Sequence, residues 1–172
     1  MADKLANQAG PVSFGERLAG SQAFLLLFRE GMALVEETAG YLDGPGRRES
    51  KALDRGAAVA YATESMRLTT RLMQLASWLL LHRAVNEGEM SLAQASKEKA
   101  KVKLASGDSR DADAVALLPE RLRELIERSV RLQERVRRLD ATIHATTAVE
   151  MKANPVERQV NLLRAAFERD EA

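Results

Sequence analysis

The chain contains no cysteine and only two histidines, His82 and His144, in 172 residues. Without cysteine there can be no disulfide, thiolate zinc site, iron–sulfur cluster or cysteine nucleophile, and two histidines argue against a multi-histidine metal site. Aromatic residues are also scarce at 4%, whereas hydrophobic residues make up 45% of the chain. Rich in Ala, Leu, Arg and Glu and poor in aromatics, the composition favours helices over a β-sandwich or barrel.

The chain also lacks an excess of charge of one sign and any long hydrophobic run. Lys plus Arg total 26 and Asp plus Glu total 25, so the net charge of +1 gives no support to a strongly basic nucleic-acid binder. The longest apolar runs, residues 23–28 and 78–81, fall far short of the roughly 18–20 residues that a membrane span needs. The first residues show no apolar stretch of a secretory signal, so we expect a cytoplasmic protein.

The apolar residues recur at helical spacing and predict an all-α, three-helix bundle. Long helices are expected over residues 21–42, 54–87 and 118–144, with Ser21 and Asp54 as N-caps, and a short helix near 91–105. We expect a flexible arm at 1–19, a bundle domain at 20–144, and a linker and tail helix at 145–172. Residues 43–46 should end the first helix, 47–53 read as a charged connection and 106–114 as a polar loop. The first helix carries one apolar stripe: Leu25, Phe28, Met32, Val35, Ala39 and Leu42.

The second helix carries two adjacent apolar stripes, more than a single neighbouring helix can cover. Residues 78–81 are consecutive apolar residues that point around the whole helix, which fits either a deep core position or an interface. We therefore predict a homodimer, with interface candidates Met73, Ala76, Trp78, Leu80 and Leu81. The first stripe contains Ala58, Tyr61, Ser65, Leu68, Leu72, Leu75 and Leu79; the second contains Val59, Ala62, Met66, Thr69, Met73, Ala76 and Leu80.

The C-terminal segment predicts a short amphipathic helix after a linker at residues 145–153. Asn154 and Pro155 supply a cap and a first turn. The stripe that follows either docks on the bundle or serves as a tethered ligand for another protein, and a helix of about 14 residues is only marginally stable alone. The recognition candidates in this tail are Val156, Val160, Leu163 and Phe167.

The sequence contains no recognisable catalytic or phosphate-binding motif. It contains neither a G-x-S-x-G elbow nor a Gly-rich phosphate-binding loop, so we expect no enzyme, no cofactor and no metal. The arginines of the third long helix alternate with glutamates, which favours a salt-bridged surface over nucleic-acid binding. The lysines at 97–103 fit either a partner patch or a solvated helix, and the sequence leaves this open.

Four strings carry a resemblance to a known family: FREGMALVEETAGYLDGPGR, ESMRLTTRLMQLASWLLLHRAVNEGEM, EKAKVKL and QVNLLRAAF. Across residues 24–167 the chain resembles the regulator-of-CtrA-degradation (RcdA-like) family of bacterial proteolytic adaptors. That resemblance implies a homodimeric three-helix bundle with a flexible C-terminal tail and no catalytic activity. It also implies partners: the ClpXP protease with its priming factors, a possible second adaptor, and cell-cycle regulatory cargo such as CtrA and TacA.

Two other functions remain open on the residues alone. One is a helical nucleic-acid-binding protein that uses the arginines of the third helix, and the other is a structural dimerisation module.

Overall fold

The computed structural model describes residues 21–101 and 112–152 of the protein. Within these ranges the chain forms six helices, and the predicted all-α fold is confirmed. They are α1 (Gln22–Asp43), α2 (Pro45–Lys51), α3 (Arg55–Asn86), α4 (Leu92–Lys101), α5 (Ala112–Ala116) and α6 (Glu120–Lys152). The predicted arm at 1–19 and residues 102–105 of the predicted short helix lie outside the described residues.

Side-chain caps start three of the helices. Ser21 Oγ accepts a hydrogen bond from the Phe24 amide at 3.3 Å, and Asp54 Oδ1 accepts one from the Ala57 amide at 2.8 Å. Both caps were predicted. At α4, Ser91 and Gln94 exchange side-chain to backbone hydrogen bonds of 3.2 and 2.9 Å, which is the reciprocal pattern of a capping box. These bonds satisfy amides that the first helical turn leaves without partners, and so they fix where each helix begins.

The core lies between α1, α3 and α6. Arg121 and Arg128 of α6 pair with Glu37, and Arg135 pairs with Glu30, so α6 runs antiparallel to α1. α6 is parallel to α3, because Arg71 contacts Ser129 and, further along both helices, Trp78 contacts Asp140. The largest fully buried side chains are Phe24, Leu34, Leu68, Leu75, Trp78, Leu79, Leu122, Leu125, Ile126, Leu132, Val136 and Ile143.

In α1 the buried face is not the stripe that the sequence suggested. The structure buries positions one residue earlier: Phe24, Leu27, Gly31, Leu34, Thr38 and Tyr41. This face escaped the pattern because Gly31 and Thr38 interrupt its apolar residues. The stripe that begins at Leu25 instead forms a second, partly exposed face beside the core, so α1 resembles α3 in having two apolar faces.

Three of the predicted boundaries are wrong. Residues 45–51 of the predicted turn and connection form α2, which begins at Pro45. A hydrogen bond of 2.7 Å from the Tyr41 hydroxyl to Glu49 Oε2 connects α2 to α1. Residues 112–114 of the predicted polar loop form α5 together with residues 115 and 116. The third long helix does not end near His144 but continues to Lys152, so residues 145–152 are helix and not linker. No glycine or proline occurs between 120 and 152 to stop it.

Two glycines of α1 should respond in opposite ways to alanine. A Cβ on Gly31 would lie 2.4 Å from Leu79 Cδ1, and Leu79 is fully buried, so Gly31→Ala should destabilise the protein by about 1–3 kcal/mol through overpacking. A Cβ on Gly40 meets nothing within 4 Å, so Gly40→Ala should stabilise it by about 0.5–1 kcal/mol. Urea unfolding of both variants tests this pair, and equal midpoints would show that Leu79 moves aside freely.

Candidate interaction surface

The outward face of α3 carries no charge over seven helical turns. Nine residues between positions 56 and 81 are exposed, and none of them is Asp, Glu, Lys, Arg or His. A solvated helix normally places its charged residues on this side. We call these nine residues the α3 face: Gly56, Val59, Ala62, Thr63, Met66, Thr69, Thr70, Met73 and Leu80.

Glu64 and Arg71 of α3 instead point toward the rest of the bundle, whereas the side chain of Arg67 between them is 37% exposed. Glu64 is 3% exposed and Arg71 is 9% exposed. Glu64 pairs with Arg67 at 2.7 Å, and Arg71 Nη1 donates to Ser129 Oγ at 3.0 Å across the α3–α6 contact. Burial of charge is costly unless it is compensated, so this distribution is the reverse of a helix that faces only water. An exposed, uncharged face of this length is typical of a surface that binds another protein.

The large side chains of the α3 face recur every seven residues. Val59 is 63% exposed, Met66 is 72%, Met73 is 67% and Leu80 is 51%. The positions between them are small: Ala62, Thr69 and the half-buried Ala76. Large and small residues that alternate at heptad spacing allow another helix to approach closely and to insert its own side chains between them.

A groove between α1 and α3 widens this apolar area. It has a volume of about 270 Å³ and runs beside the middle of the α3 face. Its α1 side is formed by residues of the partly exposed face that begins at Leu25, so the two helices form one continuous surface. We call the α3 face together with Val35, Ala39 and Leu42 the α1–α3 surface. The groove is lined by Val35, Thr38, Ala39, Leu42, Asp43, Thr69, Leu72, Met73 and Ala76.

The interface candidates from the sequence divide into three groups. Met73, Ala76 and Leu80 lie on or beside the α3 face, and Leu81 is half-buried. The prediction is wrong for Trp78, which is 2% exposed in the core and donates its indole N–H to Asp140 Oδ1 at 2.8 Å. A partner 62 positions away in the chain cannot be inferred from local spacing. The tail candidates Val156, Val160, Leu163 and Phe167 lie outside the described residues.

Val59 and Met66 belong to the same surface but were not among the candidate interface residues. Both lie in the second stripe predicted for this helix, and their spacing from Met73 and Leu80 is the heptad seen in the structure. The signal that could have found them is the lack of exposed charge from 56 to 81. This pattern could be recognised only once Glu64 and Arg71 were known to point inward, which the packed structure shows and the sequence does not.

The arginines of α6 form a different, salt-bridged surface, as predicted. Arg121 pairs with Glu37 and with Glu124, Arg128 pairs with Glu37 at 2.7 Å, and Arg135 pairs with Glu30. Several of these carboxylates are on α1, so the pairs bridge two helices and are not only the i,i+4 pairs that a sequence displays. Arginines already matched to carboxylates are poorly placed to neutralise phosphates, which weakens the nucleic-acid interpretation.

Neither a candidate metal site nor a membrane-spanning helix occurs among the described residues. Between positions 21–101 and 112–152, His, Asp and Glu nowhere form a group of three or more that could hold a metal ion. None of the helices in these ranges is long and apolar enough to cross a bilayer.

The fold and its two contrasting surfaces define the class: an all-α bundle with one salt-bridged face and one uncharged apolar face suited to a protein partner. The chain belongs to the DUF1465 family, described as proteins of unknown function, whose model matches residues 15–167. It is similar to a solved structure, the crystal structure of RcdA from Caulobacter crescentus CB15, at 53% sequence identity and a TM-score of 0.62. That match covers 74% of this chain and 96% of the RcdA chain, and it confirms the resemblance found in the sequence. No curated protein matches.

Proposed function

We propose that the protein is a non-enzymatic adaptor of regulated proteolysis in the cytoplasm, which presents cell-cycle regulatory proteins to the ClpXP protease. The 53% identity to RcdA over almost the whole of that chain supports a role in the same process. The observation that carries the proposal is the α1–α3 surface, because a long uncharged helix face serves association with protein. Priming factors of the protease and a second adaptor are the further partners that we expect.

We further propose that a second copy of the chain covers the α1–α3 surface. The α3 face spans residues 56–80, which is about 36 Å of helix at 1.5 Å per residue. With the flanking residues of α1, a strip of this length can supply the roughly 800 Å² per partner of a standard interface. Two copies would then place α1 and α3 of each protomer in a four-helix arrangement, with the large residues of one α3 against the small residues of the other.

This arrangement leaves distinct surfaces for the other partners. In the dimer the α3 faces are buried against each other, whereas the salt-bridged face of α1 and α6 remains open to solvent. The tail stripe of Val156, Val160, Leu163 and Phe167 follows α6, and we propose that it is the recognition element for cargo or a second adaptor. An adaptor needs at least two such sites, because it must hold its cargo and its protease together.

Reconstituted degradation tests the adaptor function directly. Purified ClpXP, its priming factors and a CtrA- or TacA-type transcription regulator are incubated with ATP, with and without this protein. We expect the half-life of the regulator to shorten about tenfold or more in its presence, as expected from an effective concentration gained by tethering. A directly tagged ClpXP substrate that needs no adaptor serves as the control and should be degraded at the same rate in both reactions. If the regulator is degraded equally fast without the protein, the proposed function is wrong.

A further inference from the structure

A polar junction joins α4 to the long helices at one end of the bundle. Asp140 of α6 lies at its centre: Oδ1 accepts the Trp78 indole N–H at 2.8 Å, and Oδ2 accepts from Lys99 Nζ at 2.5 Å. The same Lys99 ammonium lies 2.8 Å from His144 Nε2. Trp78 in turn stacks on His82, with ring centroids 4.0 Å apart. Side chains of α3, α4 and α6 therefore meet at one carboxylate.

Lys99 is the polar attachment of α4 to this junction. The helix has only ten residues, too few to be stable alone in water. Apolar contacts also hold it: Ala95 is 2% exposed and Leu92 packs against the core. The Lys99 side chain is only 23% exposed and that of Asp140 only 15%, so the bond between them is shielded from solvent on most sides. Loss of this bond would remove a substantial part of what holds α4 in place.

The observed geometry requires a neutral His144. An ammonium group has only protons to donate, so Nε2 of His144 must offer a lone pair to make a 2.8 Å contact with Lys99 Nζ. A protonated imidazole at that distance would set two cations against each other. It would also attract Asp140, whose Oδ1 is already 3.6 Å from His144 Nε2 one helical turn away. A protonated His144 would therefore repel Lys99 and at the same time attract the carboxylate to which Lys99 is bound.

We propose that this junction is a proton-sensitive latch, in which protonation of His144 transfers Asp140 from Lys99 to the imidazolium and loosens α4 from the bundle. The titratable groups that surround His144 are Asp140 on its own helix, Lys99 on α4 and His82 on α3. The latch is closed at the higher pH and opens as the pH falls. This inference does not depend on the proposed adaptor function.

His82 does not take part in the switch. It is 3% exposed, and burial, opposed by Asp140 and assisted by Lys99 and His144, lowers its pKa to about 4. Its neutral form is therefore the folded form at any pH at which the latch operates. Because the pKa of His82 is about 4 in the folded protein and about 6.5 in the unfolded chain, the whole fold loses stability as the pH falls from about 6.5 to about 4, and this loss affects every helix and not α4 alone.

Hydrogen exchange of the full-length protein at about pH 7.5 and pH 5.5, within the range in which histidine titrates, tests the latch. After correction for the pH dependence of intrinsic exchange, amides of α4 should exchange about tenfold faster at the lower pH, as expected for the loss of one charge-assisted hydrogen bond. Amides in the middle of α3 and α6 should change only as far as protonation of His82 in the unfolded chain lowers the global stability. Trp78 is the only tryptophan and bonds directly to Asp140, so its emission should change over the same pH interval as the exchange of α4.

His144→Gln and Lys99→Met separate the latch from a general effect of acid. Glutamine can accept from Lys99 but cannot become a cation, and the 40% exposed side chain of His144 should tolerate it, so α4 of His144→Gln should stay protected at both pH values. Lys99→Met should give fast exchange of α4 at both. If His144→Gln retains the pH dependence of the natural protein, or if the natural protein shows none, the latch does not exist. Circular dichroism confirms that each variant keeps its helix content.

Discussion

Replacement of Met66 and Met73 by glutamate should convert the protein from a dimer to a folded monomer. Their side chains are 72% and 67% exposed in the single chain, so the substitutions cost little within one protomer. Across the two α3 faces of a dimer, however, they would place four carboxylates in an apolar contact. Like charges that are buried at an interface cost several kcal/mol, so the dissociation constant should rise by about a hundredfold or more.

Multi-angle light scattering at micromolar concentration measures this result. The natural protein should show twice the chain mass of 18.9 kDa, and the double variant should show 18.9 kDa with an unchanged circular dichroism spectrum. Leu26→Glu is the matched control: Leu26 is 55% exposed on α1, on the side that leads toward Glu30 and away from the groove, and this variant should remain a dimer. A charge at Leu80 should also dissociate the dimer. A double variant that keeps its full mass would show that the α1–α3 surface is not the interface.

Deletion of residues 154–172 should abolish most of the cargo delivery and leave the bundle intact. The described core of α1, α3 and α6 is formed by residues between Phe24 and Ile143, so we expect the melting temperature to change by less than about 2 °C. Delivery of a cargo regulator to ClpXP should fall about tenfold, because an amphipathic helix contributes its binding energy mainly through a few apolar side chains.

Point variants distinguish recognition by the tail from simple loss of chain length. Leu163→Ala with Phe167→Ala removes the two largest side chains of the stripe and should reproduce the deletion. Arg158→Ala with Asn161→Ala changes two residues outside the stripe and should retain delivery. A large drop in melting temperature with delivery intact would mean that the tail is a further core helix and not a recognition element.

The sequence predicted the parts of this fold that depend on local periodicity. The long helices begin where Ser21 and Asp54 cap them, and the second apolar stripe of α3 was visible in the spacing of its residues. The short helices α2 and α5 were missed, since too few residues are involved for a periodic pattern to show. Contacts with distant residues hold such segments, as when Glu49 of α2 receives the hydroxyl of Tyr41.

The candidate surface could be predicted only in part, for a related reason. Apolar spacing indicates which residues share a helix face but not which face turns inward. In α1 the inward face contains Gly31, where Leu79 of α3 comes close, and a pattern of large apolar residues does not reveal such a contact. Trp78 was ambiguous in the same way: its position became clear only once Asp140 was seen to accept its N–H.

The hydrogen bond between Arg71 and Ser129 fixes the alignment of the two parallel helices α3 and α6. Ser129 is the one interruption in the otherwise apolar heptad of α6, and it stands opposite a guanidinium that is 9% exposed. If α6 slid by one turn along α3, Leu125 could take the place of Ser129, and Arg71 would lose this hydrogen bond at a cost of about 1.5–3 kcal/mol. Leucines alone would tolerate such a slide, because they pack against one another almost equally well one turn apart. The Arg71–Ser129 bond therefore favours a single register of α6 along α3. The same register places Asp140 opposite Trp78.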